Sequence, residues 1–253
     1  MIATLLQTDI ASADIDANLR AAEDLMDANP GADLYILPEM FATGFLEHPA
    51  ESDAQASALV ITWMRLQAEA RGCAICGSLI TQAGGLFFNT FALMKADGAL
   101  TLAHKRHLFS MGGESEAYAP GQDRVIVDIA GLRCLLLVCY DVRFPVWSRC
   151  VAKDYDAIIY VANWPAPRIE VWDVLLRARA IENQAYVVGV NRVGSAGPIG
   201  YSGHSQVVDP WGKVVAVCDE GHVSAVQVSL AADRVATVRR KFAAWADADE
   251  FGL

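Results

Sequence analysis

No apolar run in this chain approaches the roughly 20 residues that a membrane-spanning helix needs, so a helical membrane protein is not expected. Positive charge is scarce. The chain has 20 Lys and Arg against 30 Asp and Glu, a formal net charge of −10. A surface that acidic repels phosphate backbones, which argues against general nucleic-acid binding but not against a small basic pocket for an anionic substrate. The N-terminal stretch "MIATLLQTDIASADID" lacks a basic segment and soon turns acidic, so it does not read as a signal peptide. Cysteine is sparse too. Without an export signal the six thiols are expected to be reduced, in a cytoplasm. Cys73 and Cys76 have CxxC spacing but no second pair, and an apolar run surrounds them, so two packed thiols are expected. No linker, low-complexity tract or internal repeat is evident, which predicts one domain over residues 1–253. The tail "KFAAWADADEFGL" is acidic and aromatic, either a loose end or a contact for a partner subunit.

Apolar residues make up 54% and charged ones 20%, the balance of a folded protein. Two kinds of segment alternate. Strand-like, β-branched runs cover 2–8, 33–39, 73–79, 88–94, 101–105, 133–139, 156–163, 185–193, 205–210, 214–218 and 224–230. Helix-like stretches cover 15–31, 53–72, 145–155 and 169–184. The second has Asp53 as a possible N-cap and Gly72 as its stop, and the third opens with Pro145, a favoured first helical residue. This alternation predicts an α/β fold with helices covering sheet faces. From about residue 200 to 230 strands follow one another without long helices, so part of the sheet is expected to be antiparallel.

Three polar groups end strand-like runs: Glu39 after "LYILP", Lys105 after "LAH" and Cys139 after "LLLV". Each alone has a plain reading, as a solvated carboxylate, a surface lysine and a buried structural thiol. Together they suggest chemistry, because functional groups in α/β sheets collect beyond the carboxyl ends of strands. A thiol attacks a carbonyl only as thiolate, and a carboxylate in a partly dry site can take its proton. A lysine ammonium and a backbone N–H can stabilise the resulting oxyanion. Residues 135–155 read as strand, sharp turn and helix, the form of a nucleophile elbow. The helix after Pro145 is expected to direct partial positive charge toward the sulfur.

These residues resemble the Glu-Lys-Cys triad of the nitrilase, or carbon–nitrogen hydrolase, superfamily. The matching text is "LPEMFATGF" (37–45), "HKRHLF" (104–109), "CYDVRFP" (139–145), "ANWP" (162–165), "RARAIENQAYVVGVNRVG" (177–194) and "YSGHSQVVDPWG" (201–212). The resemblance implies a four-layer α-β-β-α sandwich with mixed sheets. It implies homodimers or higher homo-oligomers, with the helix at 169–184 as the candidate contact. It implies Glu39 as general base, Cys139 as nucleophile, and Lys105 with the Tyr140 backbone N–H as oxyanion donors. It also implies a second acid that holds the lysine. "GGESEAYAPG" offers Glu114 and Glu116, and Glu114 is the better match by its distance from Pro120-Gly121. No metal or organic cofactor is required, and the spacing of His104 and His107 makes no metal site, so both read as structural. Asp141 and Arg143 are expected to brace the elbow by ion pairing rather than to take part in the chemistry. Asn163, Trp164, Phe41 and Phe45 are candidates for the pocket wall, and Arg168 or Arg143 for meeting a substrate carboxylate.

Tyr140-Asp141 stands where true nitrilases usually carry Trp-Glu, so an amide is expected rather than a nitrile. "CYDVRFP" is shared by two amidase branches of the superfamily. Omega-amidases, including the bacterial YafV type, hydrolyse 2-oxoglutaramate and 2-oxosuccinamate; the other branch hydrolyses deaminated glutathione. "PEMFATGF", "ANWPAPR" and "RAIENQAYVVGVNRVG" resemble the first more closely. The loop "GSAGPIGYSGHS" (194–205) departs from it, lacking the acid of the usual Asp-Gly turn. The expected activity is hydrolysis of the terminal amide of a small omega-amido-2-oxo acid through a thioester. The alternatives are a deaminated-glutathione amidase, a carbamoylase or nitrilase, an acyltransferase, or an inactive binding protein of the same fold.

Overall fold

The computed structural model describes residues 1–249, so residues 250–253 of the acidic tail lie outside it. The strands are β1 (Ile2–Gln7), β2 (Leu34–Ile36), β3 (Ala74–Ala83), β4 (Leu86–Met94), β5 (Leu100–His104), β6 (Ile126–Ile129), β7 (Leu132–Val138), β8 (Ala157–Ala162), β9 (Tyr186–Asn191), β10 (Val193–Ala196), β11 (Ile199–Ser202), β12 (Gln206–Val208), β13 (Val214–Val217) and β14 (Ser224–Ser229). The helices are α1 (Ile15–Ala28), α2 (Glu51–Arg71), α3 (Glu114–Ala117), α4 (Pro145–Ser148), α5 (Ile169–Asn183) and α6 (Ala232–Lys241).

Two six-stranded sheets form, ordered β14-β1-β2-β3-β4-β5 and β13-β12-β9-β8-β7-β6, and β10 pairs with β11 in a separate hairpin. Each sheet has a parallel centre, β1-β2-β3 or β7-β8-β9, extended by antiparallel strands. Strands covered on both faces read as continuous apolar runs, and β8 and β9 are buried at every position. On the first sheet α1 and α2 bury Ala22, Met26, Val60 and Met64 against Tyr35, Leu37 and Ile75. On the second, α5 buries Trp172, Leu176 and Ala180 against a cluster that includes Val187 and Val188. Leu5, Ile36, Phe91 and Leu93 of the first sheet join Leu135 and Leu137 of the second in one buried cluster. Each such aliphatic side chain stabilises by about 1.5–3 kcal/mol. The result is a four-layer α-β-β-α sandwich. Among the described residues no helix is long and apolar enough to cross a membrane.

Several local expectations need correction. Helix α2 begins at Glu51, and Asp53 sits inside its first turn, where its carboxylate accepts the Ala50 N–H at 2.7 Å. Gly72 does stop α2, at φ +64. The stretch 145–155 is not a helix beyond the single turn of α4. Arg124 reaches in from outside and donates to the carbonyls of Trp147 (3.1 Å) and Arg149 (2.9 Å), and Ala152 and Lys153 take left-handed conformations at φ 51 and 59. The stretch read as a loop at 194–205 contains the β10–β11 hairpin, and β6 and α6 form where no element is expected.

The end of β1 ties down distant chain. Gln7 donates to the carbonyls of Asp219 (2.7 Å) and His222 (2.9 Å) and accepts the Ser205 N–H (3.0 Å).

Candidate active site

The two sheets bring their strand ends to one place. Glu39 lies three residues beyond β2, Lys105 directly follows β5, Cys139 directly follows β7 and Asn163 directly follows β8. Strand β5 runs in the direction of β3 because β4 reverses between them. Glu39, Lys105, Glu114 and Cys139 are all buried, none more than 9% exposed.

A buried charge is tolerated only when paired and hydrogen-bonded, and this cluster meets that condition. Lys105 Nζ lies 3.0 Å from Glu39 Oε1 and 2.9 and 2.8 Å from the two oxygens of Glu114. Asn89, in the middle of β4, donates through Nδ2 to Glu39 Oε1 (2.7 Å) and Glu114 Oε1 (3.1 Å). Backbone N–H groups complete the network: Glu39 Oε2 accepts from Asn163 (2.8 Å), and Glu114 Oε2, shared with Lys105, accepts from Phe109 (2.7 Å). Burial by itself would lower the Lys105 pKa, but Glu39 and Glu114 outweigh it and hold the ammonium well above its ordinary value. The lysine is therefore charged at neutral pH. Its backbone is fixed as well. Lys105 N–H donates to Asn89 O at 2.8 Å, and Lys105 O accepts from Gly121 N–H at 2.8 Å. A Cβ at Gly121 would stand 2.2 Å from His104 O, so only glycine allows that approach.

Cys139 sits at φ +46, a left-handed conformation that strains a residue with a side chain by about 1–3 kcal/mol. The 3₁₀ turn Cys139–Arg143 follows at once. Asp141 braces this elbow, but with His107 and not Arg143. Its carboxylate accepts the Val138 N–H (3.1 Å) and the His107 N–H (2.9 Å), and lies 2.8 Å from His107 Nδ1. The Arg143 guanidinium instead lies over the rings of Trp164 (5.0 Å) and Tyr140 (6.0 Å). Helix α4 is a single turn, too short for a macrodipole that would favour a thiolate. Burial pushes the Cys139 thiol well above its ordinary value. Glu39 adds to that, while Lys105 and the Asn163 N–H oppose it. At neutral pH the sulfur rests as a thiol beside a carboxylate, an arrangement suited to proton transfer followed by nucleophilic attack.

A cavity of about 160 Å³ opens over the sulfur. Phe45, Tyr140, Asn163, Trp164 and Arg168 line it, with Glu39, Lys105, Glu114 and Cys139. Phe41 does not. Met40 takes φ +50 and turns the chain, and the Phe41 ring packs in the core 6.1 Å from Trp63 and under Gly77, where a Cβ would meet it at 2.5 Å. Arg143 and Arg168 both line the cavity, and among the described residues neither has a carboxylate partner. Both side-chain polar atoms of Asn163 are buried without a hydrogen-bond partner. Sequence reasoning missed Asn89, Ile199 and Tyr201. A lone Asn within the aromatic run "FNTF" was the available signal for the first.

A family model described as carbon-nitrogen hydrolase matches residues 2–240. The chain belongs to the carbon-nitrogen hydrolase family. It is thus a hydrolase of carbon–nitrogen bonds other than peptide bonds, as the motif resemblance implies. It is 46% identical over 252 residues to Omega-amidase YafV of Escherichia coli (strain K12), covering 99% of this chain and 97% of that one. It is 32% identical over 219 residues to 2-oxoglutaramate amidase of Bacillus subtilis (strain 168), covering 83% of each. Among solved structures it resembles XC1258 from Xanthomonas campestris, a CN-hydrolase superfamily protein with an arsenic adduct in its active site. The TM-score is 0.93 and the identity 35%, covering 100% of this chain and 98% of that one. The amidase from Nesterenkonia sp. AN1 also resembles it, at TM-score 0.84 and 26% identity over 95% of this chain and 97% of that one. In that structure acrylamide has added to the active-site cysteine.

Proposed function

We propose that this carbon-nitrogen hydrolase is an omega-amidase, converting an omega-amido-2-oxo acid such as 2-oxoglutaramate or 2-oxosuccinamate to the 2-oxo dicarboxylic acid and ammonia. The observation that carries the reading is a buried thiol facing a Glu39–Lys105–Glu114 network in a small cavity with two unpaired guanidinium groups. The likeness to YafV and to 2-oxoglutaramate amidase supports it.

The reaction runs as follows. Glu39 takes the proton of Cys139, and the sulfur bonds to the amide carbon. Lys105 and the Tyr140 N–H hold the oxyanion. The C–N bond breaks as Glu39 returns its proton to the nitrogen, and ammonia leaves a thioester behind. Glu39 then takes a proton from water, the hydroxide adds to the thioester carbon, and the C–S bond breaks with the sulfur recovering its proton. Glu114 holds Lys105 throughout. The free Asn163 side chain hydrogen-bonds the substrate, and Arg168 and Arg143 meet its carboxylate.

The test is ammonia release from 2-oxoglutaramate, 2-oxosuccinamate, deaminated glutathione, glutamine and a simple nitrile. Turnover of the first two at least tenfold faster than the others supports the assignment, and preference for deaminated glutathione would overturn it. The partner proposed for the chain is a second copy of itself, docked through α5. Val171, Val174 and Ile181 of α5 are exposed, and Trp211 and Phe242 are exposed 6.4 Å from each other. Sedimentation would show a dimer, and Val174→Glu with Ile181→Glu would give a monomer. The six unpaired thiols fit a reducing cytoplasm as the proposed location.

A further inference from the structure

The hairpin β10–β11 stands apart from both sheets, yet its inner edge reaches the cavity through Ile199 and Tyr201. Its feet are fixed against the end of β1. At one foot Gly194 takes φ +82, and a Cβ there would stand 2.0 Å from Asp9 Oδ1. At the other foot Gly203 takes φ +79, and a Cβ would stand 2.3 Å from the Gln7 amide. A side chain at either foot would have to displace Asp9 or Gln7 and would strain the left-handed backbone, so the two glycines let the hairpin lie close to β1. Arg192, 1% exposed, locks the base. It donates to Asp9 Oδ1 (3.0 Å), Ile10 O (2.9 Å), Val193 O (3.0 Å) and Ser195 O (3.2 Å).

The same guanidinium lies 4.6 Å from the centre of the Tyr201 ring. A cation against the ring face fixes the ring and draws electron density from the phenol, which makes its O–H a better donor. Among the described residues no hydrogen bond engages that hydroxyl, and Tyr201 is only partly buried where it lines the cavity. Tyr201 shares the wall of the cavity with Glu39, Cys139 and Arg168. Burial keeps it protonated through neutral pH.

We infer that Tyr201 is a specificity-determining residue whose hydroxyl donates to the carboxylate of the amide substrate, with the Arg192-locked hairpin holding it in place. The inference rests on the omega-amidase reading for the identity of that substrate. A hydroxyl that donates to a charged oxygen supports binding more strongly than one that meets a neutral group. A substrate without a carboxylate gains little from it.

The experiment compares Tyr201→Phe with the wild type on 2-oxoglutaramate and on butanamide, an amide with no carboxylate. The ratio of kcat/KM for 2-oxoglutaramate to that for butanamide is expected to fall about tenfold, mostly through KM. The competitive Ki of the product, 2-oxoglutarate, is expected to rise by a similar factor. An unchanged ratio, whether both substrates lose equally or neither loses, would overturn the role of Tyr201. If the wild type ignores 2-oxoglutaramate, the omega-amidase reading fails instead. Tyr201 is then decided by the same ratio for glutaramate against butanamide.

Discussion

The two sheets supply opposite halves of the site. The first contributes charge: Glu39 beyond β2, Lys105 at the end of β5, and Asn89 in β4, which bridges both carboxylates. The second contributes a neutral thiol and backbone donors, Cys139 beyond β7 and the Asn163 N–H beyond β8. The charged half is tied together by many short hydrogen bonds, so its members depend on one another. The neutral half is a strained elbow braced by a single carboxylate, Asp141. Stability therefore resides mainly in the first half, and reactivity is delivered by the second.

That division can be broken by mutation. Cys139→Ala is expected to cut ammonia release at least about 10⁴-fold, with the melting temperature moving little. A variant that unfolds, or one that keeps full hydrolysis, would contradict the division. Lys105→Met strands two buried carboxylates and is expected to cost about 3–5 kcal/mol of folding stability in addition to activity. Urea denaturation measures this, and a midpoint equal to that of the wild type would show that the charged half bears no structural weight. Asp141→Asn keeps the shape but weakens the brace to Val138 and His107, at about 1–2 kcal/mol. Its effect should appear in kcat and in slower alkylation of Cys139 rather than in KM.

The smallest effect is a pH dependence. Burial pushes Cys73 and Cys218 up to about 11, and Cys76, Cys134 and Cys139 are also raised. In the unfolded chain these thiols ionise near their ordinary value of 9.0. Above that pH the unfolded state binds fewer protons than the folded one, so stability falls as pH rises from about 9. Lys105 acts in the same direction but later. Its raised pKa means that its stabilisation is complete below 10.5 and is lost only as pH passes its folded value. Under reducing conditions the urea midpoint should be lower at about pH 10 than at about pH 7.5. Equal midpoints would show that the thiols titrate freely in the folded protein.

Most of the sandwich was legible, because β-branched runs such as "AIIYVA" can satisfy themselves only as covered strands. Glu39, Lys105 and Cys139 stood out because each breaks an apolar run where a strand ends. What escaped depended on contacts between segments far apart in the chain. Arg124 ends the helix expected at 145–155, and nothing local in "PVWSRCVAKDY" announces it. The backbone turn at Met40 sends Phe41 inward while Phe45 reaches the cavity. Asp141 chooses His107 over its near neighbour Arg143 because the end of β5 lies beside the elbow. Helix α6 lacks a side-chain cap, and only two valines, Val235 and Val238, stand on its buried face, too few apolar residues to mark it out in the sequence.

The bonds of Gln7 set an order of assembly. Its side chain must meet the carbonyls of Asp219 and His222, more than 200 residues along the chain, and the Ser205 N–H beside one foot of the hairpin. Glu39, Lys105, Glu114 and Cys139 all leave the ribosome long before those partners. The nascent chain thus carries its reactive thiol before it has the finished cavity wall. Contacts of such long sequence separation form slowly. Selectivity toward one amide is then a property acquired only when the last strands have joined the sheets.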